Sequence, residues 1–216
     1  MLPFRCARLH CSGAHALPVA ALGTKVLAVE ASKVTAEMLN QSIVLNNFTD
    51  RVTLVNAALS DNSKASLVLK TYAGNPGGTY VEKQKGNLTS AKPKSVPTFG
   101  VGQTITLDAL VNKADFHKAV LKVDIETHEC VVLRRNNDTT SSAFFRSFDI
   151  RAIFMEIARG SGGERSVQTR CIDDMMIHLS AQGFRNGYYS NTKFSTKEWM
   201  KVLPKRGTFD VSLFRI

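Results

Sequence analysis

The stretch VLKVDIETHECVVL, residues 120–133, begins as a β-strand and then changes character. Its first six positions are rich in the branched apolar side chains that are typical of a buried strand. Four titratable side chains follow within six positions, namely Asp124, Glu126, His128 and Glu129. Because burying an unpaired charge is costly, these groups need partners, a ligand or solvent. The rest of the fold decides among these possibilities.

Strand-like and helix-like patterns alternate on both sides of this stretch. The predicted strands are 25–30, 51–59, 65–72, 120–125, 151–157 and 209–216, and the predicted helices are 33–46 and 167–182. TITLDALV, residues 104–111, begins as a strand and turns into a short helix capped at Asp108. This alternation predicts an α/β fold with a mainly parallel central sheet. The last strand follows a loop, so we expect it to lie antiparallel.

The chain divides into an atypical start and one domain. Residues 1–29 contain no Asp or Glu, which is typical of an organellar targeting segment but also fits a truncated first strand and cofactor loop. We therefore interpret residues 1–20 as the atypical N-terminus and residues 21–216 as a single domain. Residues 74–102, rich in Gly, Pro, Ser and Lys, are interpreted as a loop or hairpin insertion that forms a lid or substrate wall.

The composition excludes some classes of protein. The chain has 216 residues, 44% of them hydrophobic, and a net charge of +10. No apolar run reaches the ~20 residues of a membrane-spanning helix, and the dispersed positive charges make a nucleic-acid partner unlikely. The four cysteines form no CxxC pair, so free thiols in a reducing compartment are expected. A cytoplasmic location is favoured, with mitochondrial or other organellar targeting left open by the N-terminus.

Three predicted strands end in an acid, namely Glu30, Asp124 and Glu156. Ligands of parallel α/β sheets bind outside the carboxyl ends of the strands, where these acids would lie. An acid at the end of the second strand often accepts hydrogen bonds from ribose hydroxyls. Glu30 fits that role, but it fits equally well as a cap of the helix that follows it. The local pattern leaves both alternatives open.

Four segments together resemble the FkbM-type methyltransferase family. They are KVLAVEAS, RVTLVNAALSD, TITLDALV and VLKVDIETHE, and they occur in that family's order within residues 13–157. The resemblance implies a Rossmann-like methyltransferase fold with helices on both faces of the sheet. It also implies S-adenosylmethionine as the methyl donor and usually an oxygen as the acceptor.

The resemblance also implies a set of site residues. Glu30 and its neighbour Ala31 would lie at the ribose, the residues from Asn56 onward at the adenine, and Asp124 at the methionine and methyl end. The full cofactor-binding set is Gly13, Glu30, Ala31, Asn56, Ala57, Ala58, Asp61 and Asp124. The catalytic set is Asp124, Glu126 and His128, and no metal is implied.

The sequence departs from the family pattern at two places. The family's glycine-rich turn, D-x-G-A-N-x-G, is represented here by Gly13-Ala14, with His15 in place of asparagine and no second glycine. Pro18 stands where a helix is expected. In the stretch quoted first, Thr127-His128 replaces Gly-Ala, which removes backbone freedom and adds a group that titrates near neutrality.

Three interpretations of the charged stretch follow. Asp124 and Glu156 would chelate Mg²⁺ if a metal were present, but the ligand set is incomplete. Glu126 or His128 would take a proton from a hydroxyl that attacks the methyl group. Alternatively, Thr127 caps a helix and Glu129 lies in its first turn, beside the positive end of the dipole.

The sequence therefore predicts an S-adenosylmethionine-dependent methyltransferase. Its acceptor would be a hydroxyl of a small molecule or glycan, and the reaction would need no metal. The alternative is a catalytically inactive protein with the methyltransferase fold and an interaction or structural role. The sequence leaves the oligomeric state open.

Overall fold

A seven-stranded sheet forms the centre of the fold in the computed structural model, which describes residues 6–9, 13–62, 66–72, 75–81, 98–126, 128–134, 142–159, 167–186 and 207–215. The strands are β1 (Cys6–Leu9), β2 (Val26–Glu30), β3 (Val52–Asn56), β4 (Ala58–Leu59), β5 (Ser66–Tyr72), β6 (Asn75–Val81), β7 (Thr98–Ile105), β8 (Lys118–Val123), β9 (Asp149–Arg159), β10 (Phe184–Asn186) and β11 (Gly207–Arg215). The helices are α1 (Ala16–Ala21), α2 (Lys33–Leu45), α3 (Glu129–Leu133), α4 (Ser142–Ser147) and α5 (Val167–Ala181), with a 3-10 helix at Asp108–Lys113.

The central sheet has the order β10-β11-β9-β8-β1-β2-β3. The five strands from β9 to β3 are parallel, and β11 is antiparallel to both β9 and β10. This confirms the mainly parallel sheet and the antiparallel last strand. The chain moves outward from β1 to β3 and then returns to β8 on the other side of β1. The strand order therefore reverses between β1 and β8, which is the topological switch point of the sheet.

Both faces of the sheet are covered by helices. All five residues of β2 are buried, as expected for a strand with helices on each side. Val26 and Ala28 pack in one cluster with α1 and α2. Leu27 and Val29 point the other way, into a larger cluster that includes residues of α3, α4 and α5. The sheet thus separates two cores, as the Rossmann-like prediction requires.

The helices that flank the site begin and end largely as their sequences predict. Ser32 caps α2 by accepting a hydrogen bond from the Thr35 amide at 3.3 Å, and Asn47 beyond its end adopts φ +56°. Gly183 follows α5 with φ +91°. Pro18 is tolerated in α1 because it is the third residue of the helix, where no intrahelical amide bond is lost.

The region after β3 differs from the sequence prediction. The predicted strand 51–59 is interrupted at Ala57, and β4 leaves the central sheet to pair with β7. A second sheet has the order β4-β7-β5-β6, so parts of segment 74–102 are strands, and residues 82–97 lie outside the described residues. The predicted cap at Asp108 is also wrong. The Thr106 hydroxyl accepts a hydrogen bond from the Ala109 amide at the start of the 3-10 helix. The Asp108 carboxylate instead accepts hydrogen bonds from the amides of Ala143 and Phe144, and so caps α4.

The prediction of free thiols is wrong for two of the four cysteines. Cys130 of α3 and Cys171 of α5 form a disulfide, with their Cα atoms 5.5 Å apart. The two residues are 41 positions apart, and they meet because α3 and α5 pack on the same face of the sheet. Cys11 and the side chain of Cys6 lie outside the described part. No helix among the described residues is long and apolar enough to cross a membrane.

Candidate functional site

The switch point gathers predicted site residues from three parts of the chain at one edge of the sheet. Gly13 follows β1, Glu30 ends β2, and Asp124 immediately follows β8. Because β1 pairs in parallel with both β2 and β8, the carboxyl ends of these strands lie at the same edge of the sheet, where ligands of α/β folds bind. The predicted cofactor-binding residues at the end of β3 lie at the outer side of this edge, roughly 14 Å from β8 at the usual spacing of strands.

Glu30 is built into the corner between β2 and α2. Its side chain is 1% exposed, and Oε1 accepts a hydrogen bond from the Ser32 amide at 2.8 Å. One carboxylate oxygen therefore stabilises the start of α2, as one of the two alternatives for Glu30 requires. The role at a ribose remains a prediction.

Asn56 joins the ends of two neighbouring strands. Its Nδ2 donates to the Glu30 carbonyl at 2.8 Å and lies 3.4 Å from the Ala31 carbonyl. Ala57 and Ala58 follow it and are buried. These contacts make the end of β3 part of the wall around Glu30, which is where the predicted adenine border lies.

A polar groove runs beside this wall, between α2 and the edge strand β3. Its volume is about 360 Å³. It is lined by Lys33, Ala36, Glu37, Asn40, Gln41, Leu54 and Asn56. Because β3 is three strands away from β8, this groove is separate from the charged stretch at the switch point.

Asp61 contacts the C-terminal end of α3 and lies apart from the wall around Glu30. Its Oδ2 is 3.4 Å from Nη2 of Arg134, the residue that ends α3, and its Oδ1 is 3.3 Å from Oγ of Ser60. The ion pair thus connects the end of β4 with the helix that follows the charged stretch.

The charged stretch itself contains an unusual backbone conformation. Asp124 lies 3.8 Å from Nζ of Lys122 and is partly exposed. Glu126 adopts φ +49°, in the left-handed region that glycine favours. Thr127, where the family has glycine, lies outside the described residues. Such conformations persist where the surrounding structure holds them, and they cluster at functional sites.

His128 occupies the N-cap position of α3, a position that the sequence assigned to Thr127. The His128 side chain makes no capping hydrogen bond, and its Nε2 is shielded from solvent. The partly buried imidazole therefore lies between the strained Glu126 and the start of α3, on the same short loop as both predicted catalytic carboxylates.

Glu129 is buried beside the charged stretch, although one interpretation of the sequence placed it in a solvated first helical turn. It is only 3% exposed, and its Oε1 accepts a hydrogen bond from the Ile125 amide at 3.1 Å. The bond ties the first residue of α3 back across the loop to the residue between Asp124 and Glu126. A first-turn glutamate gives no sequence signal that distinguishes this buried role from an exposed one.

Glu156 lies near the carboxyl end of β9, opposite Asp210 of β11. Burial raises its pKa, and the nearby carboxylates of Asp124 and Asp210 raise it further, whereas Lys122 lowers it. A glutamate in this setting holds its proton to higher pH than usual. Among the described residues, no group of three or more His, Cys, Asp or Glu side chains is arranged to hold a metal ion.

Comparisons with known proteins give only distant structural similarities. No protein-family model and no curated protein sequence matches the chain. The solved structure of EvdMO1 is similar at 9% identity and a TM-score of 0.46, over 99% of this chain and 37% of that one. This chain therefore spans little more than a third of EvdMO1.

Two further similar structures are methylases by name. An rRNA methylase from Streptococcus thermophilus has 9% identity and a TM-score of 0.44, over 99% of this chain and 89% of that one. The glycopeptide N-methyltransferase MtfA, solved with S-adenosyl-L-methionine, has 10% identity and a TM-score of 0.40, over 100% and 82%. All three TM-scores lie below 0.5, so these similarities carry no function over to this chain.

Proposed function

We propose that this protein is an S-adenosylmethionine-dependent methyltransferase that methylates a hydroxyl of a small molecule or glycan without a metal. The observation that carries the proposal is the set of acids at the switch point. Glu30 ends β2, Asp124 and Glu126 follow β8, and both strands flank β1 at the position where α/β sheets bind nucleotide-like ligands.

The residues at the switch point fit the ribose and methyl ends of this cofactor. Gly13 adopts φ +84° in the turn before α1, and a Cβ there would lie 3.1 Å from Cδ1 of Leu39. Glycine therefore suits the backbone angle, and a larger residue would also require the Leu39 side chain to shift by a few tenths of an ångström. Glu30 would accept from the ribose hydroxyls beside this turn, and Asn56 would shape the adenine wall.

The charged stretch supplies groups for the reaction. When bound, S-adenosylmethionine provides a methyl group on a positively charged sulfur. Asp124 and Glu126 contribute negative potential near that end of the site. Glu126 or His128 takes the proton from the acceptor hydroxyl as the hydroxyl oxygen attacks. Because methyl transfer depends mainly on alignment, the Glu129 bond that holds this loop supports the reaction without taking part in it.

A second candidate function is a non-catalytic interaction or structural role. The observation that favours it is the internal use of the predicted cofactor groups. Glu30 bonds the Ser32 amide, Asn56 bonds the Glu30 carbonyl, and Asp61 pairs with Arg134. Transfer of radiolabelled methyl from S-adenosylmethionine to any small-molecule or glycan fraction would exclude this alternative.

Calorimetric titration of S-adenosylmethionine into the full chain tests the proposal. We expect saturable binding, and we expect Glu30→Gln to weaken it at least tenfold, because the negative charge and one of the two acceptor oxygens are lost while the Ser32 amide keeps the other oxygen. Glu37→Gln is the matched control, since Glu37 is an exposed glutamate of α2 that pairs with Lys33 at 3.8 Å. The absence of heat at millimolar cofactor with folded wild-type protein would reject the proposal.

A further inference from the structure

The disulfide between α3 and α5 is positioned to control the charged stretch. We propose that the Cys130–Cys171 disulfide is a redox-sensitive clamp. In the oxidised state it holds residues 124–126 and 128–129 in the geometry described above, and its reduction releases α3 and weakens the site. The expected effect on cofactor binding rests on the proposed function. The expected effect on the conformation of the charged stretch does not depend on it.

The helix that carries Cys130 needs support from outside itself. It has five residues, and an isolated helix of this length is not stable in water. Its N-cap residue makes no side-chain capping bond. The contacts that hold α3 include the Glu129–Ile125 hydrogen bond, the buried side chains of Val132 and Leu133, the Arg134–Asp61 ion pair, and the disulfide.

The partner helix is a firmer anchor. α5 has 15 residues and packs Ile172, Met175 and Met176 into the larger core. Cys171 lies on this buried face and is 7% exposed, and Cys130 is 5% exposed. The covalent bond therefore attaches a marginal helix to a long and well-packed one.

Glu129 connects α3 to the charged stretch, so a movement of α3 would change the conformation of that stretch. Cys130 directly follows Glu129, whose carboxylate bonds the Ile125 amide inside the charged stretch. That bond lies beside Glu126, whose left-handed backbone needs its surroundings to hold it. When α3 shifts, the hydrogen bond between Glu129 and Ile125 is lost, and the backbone of Glu126 leaves the left-handed conformation. The carboxylates of Asp124 and Glu126, which flank Ile125, then move from their positions.

The redox step is a two-electron exchange with a dithiol. The reductant's thiolate attacks one sulfur of the disulfide, and its second thiol completes the exchange. The Cys130–Cys171 bond breaks, two protein thiols form with two protons, and the reductant becomes a disulfide. Because both cysteines are nearly buried, attack requires local opening, which the short α3 provides more readily than α5.

Hydrogen exchange of the full chain tests the clamp without reference to the cofactor. Peptide mapping without reductant should find Cys130 linked to Cys171. After treatment with dithiothreitol, amides in peptides that cover 125–134 should exchange at least tenfold faster, while those of α2 should be unchanged. Two separately alkylated cysteines in the untreated protein, or equal exchange in both states, would overturn the inference.

Cofactor titration then tests the consequence for the site. We expect the Kd of S-adenosylmethionine to rise at least tenfold on reduction and to recover after reoxidation with oxidised glutathione. Cys171→Ser should bind weakly and show no response to dithiothreitol; if it fails to fold, the reduced wild type provides the same comparison. An equal Kd in both states would refute regulation. Absence of binding in both states would refute the proposed function, and the exchange data alone would then decide the clamp.

Discussion

Glu126 combines a left-handed backbone with a carboxylate that is proposed to take part in the reaction. The sequence places its carboxylate beside Asp124 and His128, but it gives no sign that this residue takes φ +49°. The family pattern directs attention to position 127 instead, where glycine is replaced by threonine. Backbone angles in a loop depend on how both ends are held, and here the far end is held by the buried Glu129.

The backbone angle of Glu126 makes a testable prediction about stability. Glu126→Gly should be more stable than Glu126→Ala by about 1 kcal/mol, because both lose the carboxylate but only alanine keeps the cost of the left-handed conformation. At Glu37, in the interior of α2, the order should invert, with glycine less stable than alanine by about 1 kcal/mol. Urea denaturation of the four variants measures both differences. The same order at both sites would contradict the described backbone.

Glu129 should act through position rather than through contact with the ligand. Glu129→Ala removes a buried acceptor and leaves the Ile125 amide without that partner, so we expect a loss of about 1–3 kcal/mol in the free energy of unfolding. Glu129→Gln keeps an acceptor oxygen and should lose less. Urea denaturation and cofactor titration of both variants check this. Equal losses for alanine and glutamine would show that the hydrogen bond is not what matters.

Glu156 should give the protein a measurable pH dependence. Its pKa is raised in the folded state, so the unfolded chain releases this proton at lower pH than the folded protein does. The stability that the protonated form contributes is therefore present below pH about 4.3 and is lost as pH rises through the raised pKa. Glu156→Gln should therefore match the wild type in acid and exceed it at neutral pH, by a few tenths to about 1 kcal/mol. Thermal denaturation across pH measures this, with Glu37→Gln as control. Greater stability of the wild type at neutral pH would reverse the assigned sign.

Among the helices and strands, features that depend on local sequence were predicted better than contacts between distant segments. The buried run of β2 and the bounds of α2 and α5 were predicted to within one residue, because each depends on neighbours in sequence. The Cys130–Cys171 bond was not visible, because it depends on two helices meeting across the core. The second sheet was missed for the same reason, since β4 pairs with a strand more than 40 positions away.

Asp108 shows how a correct residue can be assigned to the wrong helix. Its carboxylate accepts from the Phe144 amide at 2.7 Å and from the Ala143 amide at 3.2 Å, so it caps α4 instead of its own helix. Asp108→Ala should lower the free energy of unfolding by about 1–2 kcal/mol, and Asp108→Asn should lower it less. Equilibrium denaturation measures both losses. No loss for alanine would contradict this long-range cap.

At the scale of the whole molecule, charge is distributed unevenly along the strand direction. Acids lie toward the carboxyl edge of the central sheet, at Glu30, Asp124, Glu126, Glu156 and Asp210. The opposite edge carries both signs, because Lys25, Arg51 and Arg151 pair there with Asp115, Asp50 and Asp149. This arrangement places negative potential where a positively charged sulfur is proposed to bind.

Some of the cations have structural partners. Arg51 donates to the Ala20 carbonyl in the last turn of α1, and Arg215 donates to the Gln182 carbonyl just beyond α5, each at 3.1 Å. Positive side chains are favourable at helix C-termini because they satisfy free carbonyls and the dipole. Such pairs account for part of the net charge of +10 without a polyanionic partner.

Hydrogen exchange with and without millimolar S-adenosylmethionine tests where the cofactor binds. We predict slower exchange in peptides that cover Gly13, Glu30 to Ser32, and Asp124 to Glu126, which belong to three separate segments at one edge of the sheet. Protection confined to the groove at Asn40, Gln41 and Leu54, or no protection anywhere in folded protein, would rule out cofactor binding at the switch point.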